Sequence, residues 1–125
     1  MKALRILLVE DDVLIGLLLG EMLSGMGYDV CGIEATEHDA VNAAGRHAPD
    51  LMIVDAWLDD GSGVSAMMRI LETGYIPHIF VTGDTASVLA IRPSAIVIQK
   101  PFFVPETLIR KMAAEKAPDW GLAVA

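Results

Sequence analysis

Three carboxylates, a hydroxyl and a lysine in this chain each stand where a short apolar run ends. Leu4–Val9 runs into Glu10-Asp11-Asp12, Leu51–Val54 into Asp55, Ile79–Val81 into Thr82-Gly83, and Ala95–Ile98 into Gln99-Lys100-Pro101. Hard oxygen ligands of this kind suit Mg²⁺, which keeps several waters and takes one or two carboxylates together with phosphate oxygens. Packed carboxylates repel one another and cost stability unless a counterion joins them. Lys100 offsets part of that charge and would pair with an incoming phosphoryl group. Thr82 adds a hydroxyl, and Gly83 a backbone N–H that no side chain shields. The chemistry these residue types suggest is cation-assisted phosphoryl acceptance.

The elements that must bring them together follow from the same runs. Continuous apolar stretches mark strands buried on both faces, as a parallel sheet requires. Five are predicted, at about 4–9, 28–33, 51–54, 77–81 and 95–98. Helices fill the gaps. Leu14, Leu18 and Met22 with Ile15, Leu19, Leu23 and Met26 give the first its apolar face, stopping at Gly27. Ala40, Val41, Ala44 and Ala48 give a weaker second, closed by Pro49. Val64, Met67, Met68 and Leu71 give a third, ending at Gly74. Only Thr85–Ala90 is left for a fourth before Pro93, a marginal length. Pro105 suits the first turn of a last helix carrying Leu108, Ile109 and Met112. Five βα units make one α/β, doubly wound three-layer domain. In such sheets ligands sit beyond the carboxyl ends of the strands, where every residue named above falls.

Bulk properties narrow the function classes. A chain of 125 residues, 54% hydrophobic and 21% charged, is one globular domain with a real core. A net charge of −8, with no basic cluster, speaks against nucleic acid. No signal peptide or membrane-length apolar stretch is present, and a single cysteine suits a reducing compartment, so a cytoplasmic protein without membrane contact is expected. Residues 1–117 read as the domain and 118–125 as an irregular tail, with no output domain.

Several polar residues have plainer readings. Asp12 is placed to cap the first helix. Cys31 reads as a small apolar filler. His38, His47 and His78 show no zinc spacing and read as structural or surface residues. Asp55 has no comparable explanation, because a fully apolar strand carries it to the edge where Glu10 and Asp11 lie.

The ordered set Glu10-Asp11, Asp55, Thr82-Gly83 and Lys100-Pro101, each at a strand end, resembles the receiver domain of two-component response regulators. Asp55–Gly63 resembles that family's loop into the third helix. The resemblance implies a flavodoxin-like sheet in the order 2-1-3-4-5 and a histidine kinase or phosphotransfer protein as phosphoryl donor. It implies Asp55 as acceptor, and Mg²⁺ held by Glu10, Asp11, Asp55 and the Trp57 carbonyl. Thr82, Lys100 and the backbone of Gly83 and Trp57 would contact the phosphoryl oxygens. Such a chain is no enzyme in the ordinary sense, but an acceptor that assists its own phosphorylation and dephosphorylation and signals by protein contacts. Two departures stand out: Val97 replaces the usual switching aromatic, and the Thr82–Lys100 interval is short, at the expense of the fourth helix. Both are similar to a divergent stand-alone group with a Phe-x-Thr-Gly run, here Phe80-Val81-Thr82-Gly83. The alternatives within the family are a phosphate sink or relay intermediate and a module that no longer takes phosphate. A haloacid-dehalogenase reading fails at Trp57, where a second aspartate is needed, and a flavodoxin-like cofactor binder fails because Glu10-Asp11-Asp12 would repel phosphate.

Overall fold

The computed structural model describes residues 3–100 and the helix at 106–114, with its side chains from 109 onward. The strands are β1 (Arg5–Val9), β2 (Asp29–Glu34), β3 (Leu51–Asp55), β4 (His78–Thr82) and β5 (Val97–Gln99). The helices are α1 (Val13–Gly25), α2 (Glu37–His47), α3 (Gly63–Leu71), α4 (Thr85–Ile91) and α5 (Glu106–Ala114). All pairings between these strands are parallel, in the order β2-β1-β3-β4-β5. This is the expected architecture, with strand ends moved by a residue or two. The expected Pro105 helix start and the tail 118–125 lie outside the described residues.

Alternation along each strand sends side chains to opposite faces, and both faces are covered. Leu7, Val9, Met52, Val54 and Phe80 pack against Ala40, Ala43 and Ala44 of α2, Val64, Met67 and Ile70 of α3, and Val88 of α4. Ile6, Leu8, Leu51, Ile53, Ile79 and Val81 pack against Leu19 and Leu23 of α1 and Ile109 and Met112 of α5. Every residue of β3 and β4 is buried, which explains the unbroken apolar runs Leu51–Val54 and Ile79–Val81 within them. β2 departs from the expectation of burial on both faces. It is the edge strand, half-exposed along most of its length, with Cys31 only partly covered.

The apolar face expected for α1 holds at Leu19 and Leu23 and is corrected at Leu14, Leu18 and Met22. Leu14 and Leu18 are 66% and 56% exposed, and Met22 also faces outward. The buried stripe is Gly16, Leu19, Gly20 and Leu23. The reason is close packing: a Cβ on Gly16 or Gly20 would stand 3.1 or 3.2 Å from the Ile33 side chain. The two glycines let α1 lie down on β2, and that rotation turns the leucine row away from the sheet.

α2, α3 and α4 each start on a side-chain cap that fixes where the preceding loop ends. Thr36 accepts from Asp39 N–H, Ser62 from Ser65 N–H, and Asp84 from Ser87 N–H. α4 has seven residues, as short as its sequence foretells, and buries Val88 while Leu89 and Ile91 stay exposed.

His78 closes the far end of β4. It is buried, its Nδ1 lies 2.7 Å from the Ile76 carbonyl, and its Nε2 lies 3.3 Å from Arg92 Nη2. A carbonyl only accepts and a guanidinium only donates, so the ring is neutral with its proton on Nδ1. Burial, with Arg92 adding to it, depresses the pKa from 6.5 to about 4 against the opposing Ile76 bond. The folded value lies below the unfolded one, so the contribution is fully present above pH 6.5 and lost as pH falls towards 4. The shift corresponds to up to about 3 kcal/mol. Urea midpoints at pH 7 and pH 4.5 should therefore fall more steeply for the natural chain than for His78→Gln. Parallel slopes would contradict the assignment.

Candidate functional site

The carboxyl ends of β1, β3, β4 and β5 meet at one edge, and their ladders run on into the site residues. Glu10 N–H donates to Glu34 O at 2.9 Å, Ala56 N–H to Val81 O at 3.0 Å, and Lys100 N–H to Thr82 O at 2.8 Å. Parallel pairing therefore fixes the backbone at Glu10, Asp55 and Lys100 before any side-chain contact forms.

Glu10, Asp11 and Asp55 each bring a carboxylate oxygen within 4.8 Å of the others. Glu10 and Asp55 are buried at 4% exposure, and Asp11 is half-exposed. Lys100 Nζ donates to Asp55 Oδ2 at 2.8 Å and lies 3.3 Å from Glu10 Oε1. Burial pushes Glu10 up to about 7; the Asp12 N–H opposes this and neighbouring Asp55 adds to it. Asp11 moves down, because hydrogen bonds from the Asp59 N–H and with Glu10 outweigh its burial. Lys100 moves up, since Asp55 and Glu10 outweigh the effect of burial on it. One ammonium does not balance three carboxylates, and the Asp55 carboxylate adds to the upward shift that burial gives Glu10. The group is all hard oxygen and short of positive charge, which fits Mg²⁺.

The other residues singled out in the sequence take up distinct places. Asp12 turns away and caps α1, its Oδ1 accepting from Ile15 N–H at 3.1 Å. Trp57 N–H donates to Asp55 Oδ1 at 3.3 Å. Its ring Nε1–H donates to Ser87 Oγ at 3.2 Å, tying the loop after β3 to the first turn of α4. Thr82 is buried, and its Oγ1 accepts from Asp84 N–H at 3.0 Å. A Cβ on Gly83 would meet nothing within 4 Å, so the space beside this backbone position is open.

Three contributors escaped the sequence reading. Gly63 starts α3 against β3, and a Cβ there would stand 2.0 Å from the Asp55 carbonyl oxygen. Asp59 N–H donates to Asp11 Oδ2 at 2.9 Å and orients that carboxylate. Glu37 of α2 bonds the backbone of the same loop at Ser62. The Gly61-Ser62-Gly63 run was the available signal for the first. Glu37 looks in sequence like an ordinary first-turn acid, and a backbone donor such as Asp59 N–H leaves no mark in a sequence.

Residues 6–112 match the family model described as the response regulator receiver domain. This chain belongs to that receiver family. Among curated relatives of the receiver, the phyllosphere-induced regulator PhyR of Methylorubrum extorquens is 38% identical over 104 residues, 80% of this chain and 39% of that protein. The receiver thus spans less than half of that relative. The solution structure of the PhyR receiver domain from Erythrobacter litoralis superposes with a TM-score of 0.75 at 30% identity, covering 90% of this chain and 88% of the other. PhyR of Bartonella quintana, solved in complex with the anti-sigma factor NepR, matches with a TM-score of 0.59 at 34% identity, covering 62% of this receiver and 33% of that chain. Among the described residues of the receiver, no helix is long and apolar enough to cross a membrane.

Proposed function

We propose that this receiver accepts a phosphoryl group on Asp55 from a histidine kinase or phosphotransfer protein and passes the signal on through protein contacts. The observation that carries the reading is a buried strand-end aspartate, held at 2.8 Å by Lys100 within a carboxylate cluster short of positive charge. An Asp55 oxygen attacks the phosphorus of a phosphohistidine. The new O–P bond forms as the N–P bond breaks, and the imidazole nitrogen leaves with the bonding pair. Mg²⁺ held by Glu10, Asp11, Asp55 and the Trp57 carbonyl would neutralise charge on the acceptor and the phosphoryl group. Lys100 neutralises one phosphoryl oxygen, and the N–H groups of Trp57 and Gly83 are at hand for others.

Thr82 supplies the link to output. Its oxygen already accepts from Asp84 N–H, which leaves its own hydroxyl hydrogen for a phosphoryl oxygen. Asp84 caps α4, and Ser87 of that first turn holds the Trp57 ring. Drawing Thr82 inward therefore pulls on the start of a seven-residue helix with one fully buried anchor, Val88. Val97 has too little volume to report the change as a moving aromatic would. Phosphorylation acts instead by ordering or re-docking residues 83–94. Hydrogen exchange with a beryllofluoride mimic should change at these amides and little elsewhere; unchanged protection there would contradict this route. A protein partner reads the result, in line with the PhyR of Bartonella quintana solved with NepR.

The donor half of the proposal is tested by phosphotransfer profiling. Histidine kinases of the same cell, each phosphorylated beforehand, are mixed briefly with the chain and with Asp55→Asn. Rapid label transfer from at least one kinase to the natural chain, with none to the variant, is expected. No transfer from any kinase or phosphotransfer protein would overturn it.

Metal binding separates neighbouring acids. Asp11→Ala is expected to weaken Mg²⁺ binding by calorimetry at least roughly tenfold, as loss of a metal-site partner does. Asp12→Ala loses an N-cap, worth about 1 kcal/mol of stability, and should leave Mg²⁺ affinity unchanged. Equal losses of affinity would show that Asp11 does not face the metal.

A further inference from the structure

The loop between β3 and α3 carries the Trp57 backbone, and it is gripped from outside the carboxylate cluster by one side chain. Glu37, the first residue of α2, accepts from Ser62 N–H through Oε1 at 3.0 Å. Its Oε2 accepts from Ser65 Oγ at 2.8 Å and from Arg69 Nη1 at 3.1 Å. Its own N–H donates to Asp60 O at 3.2 Å. The fit leaves no slack: Gly61 adopts φ +82°, and a Cβ there would stand 2.5 Å from Glu37 Cβ. Ser62 in turn forms an antiparallel bridge with Trp57, so a grip on Ser62 is a grip on the residue two places after the acceptor.

Beside the Trp57 ring's bond to Ser87, side chains hold the loop's backbone at two further points, Asp11 at Asp59 N–H and Asp55 at Trp57 N–H. The latter two use carboxylates that a bound cation and a phosphoryl group would also engage. Glu37 stands apart from the cluster, so its grip survives loading of the site. Hydrogen bonds from Ser62 and Ser65 hold its carboxyl below the usual range, with Arg69 adding to them, so it is an ionised acceptor at neutral pH.

We infer that Glu37 is a positioning residue for phosphoryl acceptance: from α2 it fixes the loop that presents the Trp57 backbone to the metal and the phosphoryl group. The inference rests on the reading of Asp55 as acceptor. Outer partners that orient a metal site typically cost ten- to a hundredfold in metal affinity when removed. Glu37→Ala should accordingly raise the Mg²⁺ concentration for half-maximal labelling by acetyl phosphate at least roughly tenfold, while labelling at saturating Mg²⁺ approaches that of the natural chain. Glu37→Gln keeps an oxygen for Ser62 N–H and should fall between. Arg69→Ala removes only an exposed ion pair, of small worth, and should leave the half-maximal concentration within about twofold.

The experiment measures Mg²⁺-dependent labelling for these four proteins, with hydrogen exchange of residues 57–64 in metal-free protein alongside. Faster exchange of the loop in Glu37→Ala together with the shifted Mg²⁺ requirement supports the inference. An unshifted Mg²⁺ requirement in both Glu37 variants overturns it, as does equal loss at limiting and saturating Mg²⁺, which would mark a merely structural role. Absence of labelling in the natural chain would defeat the acceptor reading instead. The exchange of the metal-free loop would then still report on the Glu37 grip by itself.

Discussion

Gly63→Ala is expected to lower the thermal midpoint by roughly 10 °C and to disorganise the loop that follows Asp55, at a cost of about 3 kcal/mol. The new Cβ would meet the Asp55 carbonyl oxygen at 2.0 Å and Val54 Cγ1 at 2.5 Å. The first contact is with backbone, so no side-chain rotation relieves it. α3 must back away from β3, which stretches the bond from Gly63 N–H to Ala56 O, now 2.9 Å. Gly45 is a fair comparison, because it lies inside α2 and a Cβ there meets nothing within 4 Å. Gly45→Ala should stabilise by about 0.5–1 kcal/mol, the usual gain for alanine within a helix. Melting curves of the two variants should diverge in opposite directions from the natural chain. An unchanged midpoint for Gly63→Ala would mean that the close approach of α3 to β3 is not as described.

Asp55→Asn is expected to abolish phosphoryl labelling while the chain stays folded. An amide oxygen is a poor nucleophile, and the substitution also turns one of three carboxylates, the 2.8 Å partner of Lys100, into a neutral amide. Folding should survive because Lys100 keeps Glu10 at 3.3 Å and the amide fills the same space. Circular dichroism and melting check the fold, and labelling with acetyl phosphate and Mg²⁺ checks the chemistry. Retained labelling of the variant would move the acceptor elsewhere.

Much of this was legible in the sequence, for identifiable reasons. β3 and β4 are buried throughout, so their apolar runs were unmistakable and their ends fell where Asp55 and Thr82 stand. Chain order then allowed little but a parallel sheet with its strand ends together. Asp12 could be assigned to capping because an N-cap is a local event. What failed was non-local. Composition cannot say which stripe of an almost wholly apolar α1 faces inward, and Gly16 and Gly20 decided it through their fit against Ile33. The half-exposure of β2 follows from its place at the sheet edge, which no property of its own residues announces. Glu37 and Asp59 act on partners 25 and 48 positions away in the chain. Such contacts exist only once α2, α3 and β1 have docked.

The most direct test of the central claim is intact mass measurement of the natural chain after incubation with acetyl phosphate, with Mg²⁺ and with excess EDTA. The account predicts a single phosphoryl adduct that requires Mg²⁺, is removed by hydroxylamine as an acyl phosphate should be, and maps to Asp55. An adduct indifferent to Mg²⁺, an adduct on any other residue, or none at all would contradict it.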